Sequence, residues 1–319
     1  MSLGLYYKKH KKKCNTKIKK NMKIKICSIG ECMIELSNSK KNLYSQSIAG
    51  DTLNFLSYLE NKIFDTSYLT AIGTSEVSKR TLTFIKNKKI KLNLIFQINK
   101  HELGLYLIEN SIRGEKIFYY WRDNSAARFF FNNHDITKYF TKLKKFDYIY
   151  FSGITLSLFE SKKIDNFVIL LNLLKKKNTK IVFDLNIRIR RWSKPKLNSY
   201  FSKILPFVDI LFCSGEDLKL WKGENNSKTF NNLIHKYDIN HGIYRNNAKL
   251  NYSFYKDKKY LIKNKIVHKV VDTSGAGDGY NAAYLSNFIK FNDVQKALKV
   301  ASEIGTKIVM KKGAIVNVK

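Results

Sequence analysis

Proline is nearly missing from this chain, with two in 319 residues, and arginine is scarce, with eight against 51 lysines. Acidic residues are few as well, 25 against 59 basic ones, which leaves a formal charge of +34. Lysine, asparagine, isoleucine, phenylalanine and tyrosine are abundant, and all have AT-rich codons. Composition bias therefore accounts for the charge, with a dedicated polyanion surface as the alternative, and no recognised DNA- or RNA-binding motif supports that alternative. No apolar run approaches the 18 residues that a membrane-crossing helix needs; "NFVILLNLL" is broken by asparagine. The four cysteines, Cys14, Cys27, Cys32 and Cys213, form no Cys-x-x-Cys pair and no zinc spacing with histidine, so buried reduced thiols, suited to a cytoplasm, are the expectation. Neither Gly-Lys-Ser/Thr nor Gly-x-Gly-x-x-Gly occurs, and there is no His-Glu-x-x-His and no repeat of 20–50 residues.

The chain does contain enough apolar material for a large core, 44% hydrophobic and 13% aromatic. Residues 1–22 form a basic tail without the apolar stretch of a secretory signal; it is expected to be disordered, and Met22 is a candidate start. A strand is predicted over Lys23–Ile29, helices over Thr52–Ile63 and Val77–Asn87, and a β-hairpin within 90–122 around "NSIRG". From residue 146, "FDYIYFSG", "KIVFDLN" and "VDILFCSG" alternate with helical patterns, and a last helix spans Asp293–Met310. That alternation predicts an α/β fold, a mostly parallel sheet with helices on both faces. The hairpin, with strands near 36–48, is expected to form a small β-sheet lid on the main domain, residues 23–319.

The stretch "VVDTSGAGDGYNAAYL" is read as a glycine turn between a strand and a helix. Glycines admit close backbone approach and positive φ, and the helix start offers free N–H groups and a positive dipole end, an arrangement suited to a phosphate. Asp278, in the first turn, is either a cap or a base. A phosphate cradle beside a carboxylate fits phosphoryl transfer.

"DTSGAGD" resembles the second signature of the ribokinase-like (pfkB) carbohydrate kinases. "SIGECMIEL", "AGDTLN", "GLYLIE", "EKIFYYWRDNSAA", "FDYIYFSGITL", "FDLNIRIRRW" and "KKGAI" resemble the branch that phosphorylates 2-keto-3-deoxygluconate, so the likeness runs from about Ile24 to Val316. It implies a ribokinase-like three-layer fold and a cytoplasmic kinase using ATP, with Mg2+ arriving on the nucleotide, to phosphorylate the 6-hydroxyl of that sugar acid. It implies Asp278 as catalytic base and Gly275, Ala276 and Gly277 as anion hole. Gly50, Asp51 and Asn54 would meet sugar hydroxyls, and Tyr106, Tyr120, Arg122 and Arg188 would hold the acceptor. Arg245, Thr273, Gly275 and Gly277 would meet the nucleotide, no protein metal site is implied, and a homodimer through the lid is expected. Arginine in a lysine-rich chain supports the substrate assignments independently, because a carboxylate is best met by a planar multidentate cation. Fructose, ribose or a nucleoside as acceptor, and a non-catalytic polyanion binder, are the alternatives. Glu31, Asp184 and Asn186 stand at strand ends as further candidates. The sequence departs from the family where asparagines replace a glycine after Arg245. It also departs where "CSGEDLKLW" offers only Glu216 or Asp217 for an N-x-x-E-like element, and where Ile189 replaces the usual proline. These departures predict weak nucleotide affinity around an intact phosphoryl centre.

Overall fold

The computed structural model describes residues 22–40, 43–110, 116–131, 136–246 and 250–318. The basic tail, apart from Met22, and most of the "NSIRG" turn lie outside the described residues. Thirteen strands occur among them: β1 (Ile24–Ile29), β2 (Met33–Lys40), β3 (Leu43–Ala49), β4 (Phe64–Ile72), β5 (Ile95–Gln97), β6 (Gly104–Asn110), β7 (Lys116–Trp121), β8 (Tyr148–Ser152), β9 (Lys180–Asp184), β10 (Ile210–Ser214), β11 (His241–Asn246), β12 (Leu250–Tyr255) and β13 (Lys258–Lys263). Nine form one sheet in the order β13-β12-β11-β10-β9-β8-β1-β4-β5, and β3-β2-β6-β7 form a second, smaller sheet. From β11 to β5 the large sheet is parallel, while β12 and β13 add an antiparallel edge.

The apolar strand runs reflect burial on both faces. Side chains alternate along a strand, so Ile149 and Phe151 enter one core layer with Ile181 and Phe183, while Tyr150 and Val182 enter the other. The first layer is closed by the helices Ser161–Lys175, Lys194–Ile204 and Ser227–Lys236, and the second by Asp51–Tyr58, Ala276–Phe291 and Val294–Val309. Each fully buried Phe or Leu stabilises by about 1.5–3 kcal/mol relative to exposure. The α/β fold expected from the alternating pattern is the one observed.

Three boundaries differ from expectation. The region expected as lid over 90–122 divides: Ile95–Gln97 pairs with β4 in the large sheet, and the small sheet begins only at Gly104. The helix expected to reach Ile63 stops at Tyr58, because Leu59 is extended. Among the described residues no strand leads directly into the glycine turn. Residues 264–273 are irregular, Ile266, Val270 and Val271 are exposed, and the N–H groups of Val271 and Asp272 both donate to Val309 O.

Pairing in the small sheet sets which side chains share a face. Ser47, Glu35, Tyr106 and Tyr120 lie in one row across its four strands. Met33, Ala49, Tyr106 and Ile108 pack on Ala314 from the C-terminal segment, so this face turns toward the body. Lys116 pairs with Asp272, Lys312 Nζ donates to Asn38 O at 2.8 Å, and Arg190 Nη1 donates to Phe118 O at 3.4 Å. The small sheet is thereby tied to the glycine turn and to the loop after β9.

Candidate active site

The carboxyl ends of β1, β8 and β9 and the start of the helix Ala276–Phe291 converge at one place, the usual position for a ligand cleft in an open parallel sheet. Gly275 caps that helix at φ 70°, in the left-handed region. A side chain there would carry strain, and its Cβ would fall 2.1 Å from Ala314 O. Within the turn, Ala276 N–H donates to Thr273 O at 3.3 Å and Gly279 N–H to Gly275 O at 2.9 Å. The amides of Gly277 and Asp278, in the first turn, have no intrahelical carbonyl to meet and remain available to an anion.

Asp278 is buried and accepts from Asn54 Nδ2 at 2.8 Å. Burial, and next to it the charge of Asp51, pushes its carboxyl up to about 7; Asn54 and the Arg188 guanidinium act in the opposite direction. Asp51 opens the helix Asp51–Tyr58 after Gly50, whose φ is 150° and whose Cβ would lie 2.3 Å from Glu31 O. Its Oδ2 accepts from Ser152 Oγ at the end of β8 and from Asn186 Nδ2 at 2.9 Å. Asn186 holds φ 31°, a region that asparagine tolerates better than most residues.

Asp184, at the end of β9, accepts from Asn281 Nδ2 at 2.8 Å and pairs with Arg245 Nη2 at 3.3 Å. Burial raises its carboxyl to about 7 against the pull of Arg245. Arg245 lies under the glycine turn: a Cβ on Gly277 would stand 2.6 Å from its Nη1, and its buried Nε has no partner among the described residues. Asp217 caps its own helix with Ser214 and accepts Ile187 N–H at 2.6 Å, while Glu216 is exposed. Thr273 is exposed and contributes its carbonyl to the turn.

The residues expected to hold an acceptor come from the small sheet and the loop after β9. Tyr106 and Tyr120 are direct cross-strand partners with ring centroids 5.8 Å apart. Tyr106 is buried and donates its hydroxyl proton to Glu35, whereas Tyr120 is 41% exposed. Arg122 follows β7, is buried against Glu31, and keeps an Nε without a partner among the described residues. Arg188 is exposed, with one long bond from Nη1 to Ile187 O at 3.5 Å, and its charge reaches Asp278. Arg191 pairs with Asp123 at 2.8 Å. Ser152, Asn281, Ser125 and Glu35 complete this network and were not singled out from the sequence. Ser152 closes "FDYIYFS", and a polar residue at the end of an apolar parallel strand was the available signal for it.

The arrangement offers a raised carboxylate beside helix amides that meet no acceptor among the described residues, a second carboxylate held by Ser152 and Asn186, and arginines at the margin. That is the equipment for moving an anionic group onto a hydroxyl. The family model of the pfkB carbohydrate kinases matches residues 23–319. The 2-dehydro-3-deoxygluconokinase of Haemophilus influenzae is 34% identical over 92% of this chain and 96% of its own length. Among solved structures, the 2-dehydro-3-deoxygluconokinase of Thermotoga maritima superposes with a TM-score of 0.80 at 20% identity, covering 92% of this chain and 95% of that one. An Escherichia coli structure described as a ribokinase II candidate, in complex with ATP and Mg2+, superposes with a TM-score of 0.78 at 17% identity, over 92% and 94% of the two chains.

Proposed function

Because the chain belongs to the pfkB family of carbohydrate kinases, and is a phosphotransferase acting on a sugar with ATP, we propose that its acceptor is 2-keto-3-deoxygluconate, phosphorylated at the 6-hydroxyl in the cytoplasm. The observation that carries the reading is the buried Asp278, raised toward neutrality, in the first turn of a helix whose Gly277 and Asp278 amides meet no acceptor among the described residues. A base near neutrality combines the deprotonated state with useful basicity.

The residues present fit a nucleotide's phosphate chain: a glycine turn against the C-terminal segment, with first-turn amides and a buried Arg245 Nε that meet no partner among the described residues. Mg-ATP supplies the electrophilic γ-phosphoryl group. Asp278 takes the proton of the acceptor's 6-hydroxyl. Gly275, Ala276 and Gly277 line the anion hole, with the Gly277 amide free and the Ala276 amide shared with Thr273 O. Thr273 and Arg245 flank the nucleotide side. Gly50 and Asp51 meet the sugar's hydroxyls, Asp51 being held in place by Ser152 and Asn186. Asn54 steadies the base, and Tyr106, Tyr120, Arg122 and Arg188 face the remainder of the acceptor. The small sheet, latched through Lys116 to Asp272 and through Arg190 to Phe118, acts as a lid that excludes water.

One observation favours a second reading, a neutral sugar as acceptor: Glu31 already compensates Arg122, so the attraction for an acid falls to Arg188, which pairs with no carboxylate among the described residues. Steady-state ADP release with Mg-ATP and 2-keto-3-deoxygluconate, with gluconate, fructose, ribose and a nucleoside alongside, decides between them. Turnover concentrated on the keto-deoxy acid is expected; preferred turnover of a neutral sugar would overturn the substrate assignment. The distal outer face of the lid, with Leu36, Leu107, Tyr44, Tyr119 and Trp121, leaves the last three 43%, 43% and 59% exposed, which supports a homodimer that pairs lid on lid. No helix among the described residues is long and apolar enough to cross a membrane.

A further inference from the structure

The segment Gly30-Glu31-Cys32-Met33-Ile34-Glu35-Leu36 carries none of the phosphoryl-transfer chemistry, yet both its glutamates are buried, at 1% and 2% exposure. A buried carboxylate is costly unless its acceptor positions are filled. Glu31 accepts from Arg122 Nη2 and from Ser125 Oγ. Glu35 accepts from Tyr106 Oη and, at 3.0 Å, from Ser47 Oγ. Each glutamate therefore stands behind one of the side chains assigned to the acceptor.

Sheet register explains the arrangement. Glu35 pairs directly with Tyr106 on one side and with Ser47 on the other, so the three side chains share a face. One step along, Met33 pairs with Gly104, and the missing side chain leaves room for the second pair: a Cβ on Gly104 would approach Glu31 Oε1 to 2.9 Å and Arg122 Cβ to 3.0 Å.

We propose that Glu31 and Glu35 are positioning residues of the acceptor site, Glu31 orienting the Arg122 guanidinium and Glu35 fixing the Tyr106 hydroxyl as a hydrogen-bond acceptor toward the ligand. The proposal rests on the placement of Tyr106 and Arg122 at the acceptor. A phenol has one proton, and this one is given to Glu35, so the oxygen can only accept from a ligand. Burial and the Glu35 charge hold the phenol well above its ordinary range, so the proton stays. The ligand atom at Tyr106 is then a hydroxyl, never a carboxylate. Arg122, compensated by Glu31, contributes direction through its remaining N–H groups, and net attraction for an acid falls to Arg188, which pairs with no carboxylate among the described residues.

The test is a steady-state cycle on Glu35→Gln, Tyr106→Phe and the double variant, run with whichever acceptor the wild type turns over. Glutamine removes the charge and leaves one oxygen for the two hydroxyls of Tyr106 and Ser47, so the phenol proton is no longer pinned to position 35. The acceptor KM of Glu35→Gln is expected to rise about tenfold, with KM for ATP and the melting temperature little changed. In the Tyr106→Phe background the same change should add less than about twofold, since a residue acting through Tyr106 loses its effect without the hydroxyl. Equal rises in both KM values, or effects that multiply, would overturn the proposal for Glu35. For Glu31, Ser125→Ala removes one donor while keeping the Arg122 pair, which protects the test against misfolding of Glu31→Gln. Acceptor KM is expected to rise about threefold with KM for ATP unchanged, and an unchanged acceptor KM overturns the proposal. Preference of the wild type for a neutral sugar would refute the sugar-acid assignment and leave both tests readable on that sugar.

Discussion

Replacing Asp278 with asparagine should separate stability from activity. Burial first, and Asp51 next, raise this carboxyl from 3.8 to about 7. A group raised in the folded state favours the protonated fold. Its stabilising contribution is complete below the unfolded value and is lost as pH rises through about 7. About three units at 1.36 kcal/mol each amount to about 4 kcal/mol of strain at alkaline pH. Part of that strain is repulsion from Asp51, and the neutral, isosteric variant should recover roughly 2–4 kcal/mol at pH 8, or roughly 4–8 °C in melting temperature. The advantage should shrink as pH falls from 7 toward 4 and vanish below the unfolded value of 3.8, where the wild-type carboxyl is protonated in both states. Loss of the base should lower kcat by about 10²–10⁴. Calorimetry at pH 5 and pH 8, paired with kcat, reads both effects. A variant no more stable at pH 8 than the wild type, or one that keeps near-normal turnover, would refute the reasoning that Asp278 is a strained base.

Asn54→Ala removes the donor that holds Asp278 ionised and should move the acidic limb of kcat/KM about one unit upward; an unmoved limb in a pH–rate profile argues against Asp278 as the titrating group. Gly275→Ala places a Cβ on a φ of 70° and against Ala314 O, so it should cost about 1–3 kcal/mol in a denaturant melt and most of the turnover; a fully stable, active variant would contradict the described turn. Trp121→Asp on the exposed lid face should yield monomers in analytical ultracentrifugation if lids pair, and an unchanged mass would refute that mode of assembly.

The layers of the fold were legible because strands buried on both faces read as apolar runs, as in "YIYFS" and "KIVFD". The turn at Gly275 was legible because three glycines and a carboxylate within five positions have few other uses. "KIVHKVV" misled because its apolar residues imitate a strand, whereas the chain there is held by two N–H groups on one carbonyl, Val309 O, and leaves Ile266 and Val271 outside. The Asp51–Ser152–Asn186 and Asp184–Asn281–Arg245 contacts join residues 61 to 135 positions apart. No local pattern encodes such pairings; only the convergence of strand ends brings them together. Glu31 and Glu35 lie within the family-like "SIGECMIEL", but the partners of Glu35 depend on the register of β2 against β3 and β6, which a sequence pattern does not specify.

The central claim is transfer of a phosphoryl group to the primary hydroxyl of a sugar acid. Phosphorus NMR of the product formed from Mg-ATP and 2-keto-3-deoxygluconate tests it most directly. The account predicts one new phosphomonoester, its phosphorus coupled to the two protons of the terminal carbon, formed in step with ADP. Inorganic phosphate alone, or an ester on a secondary oxygen, would contradict it.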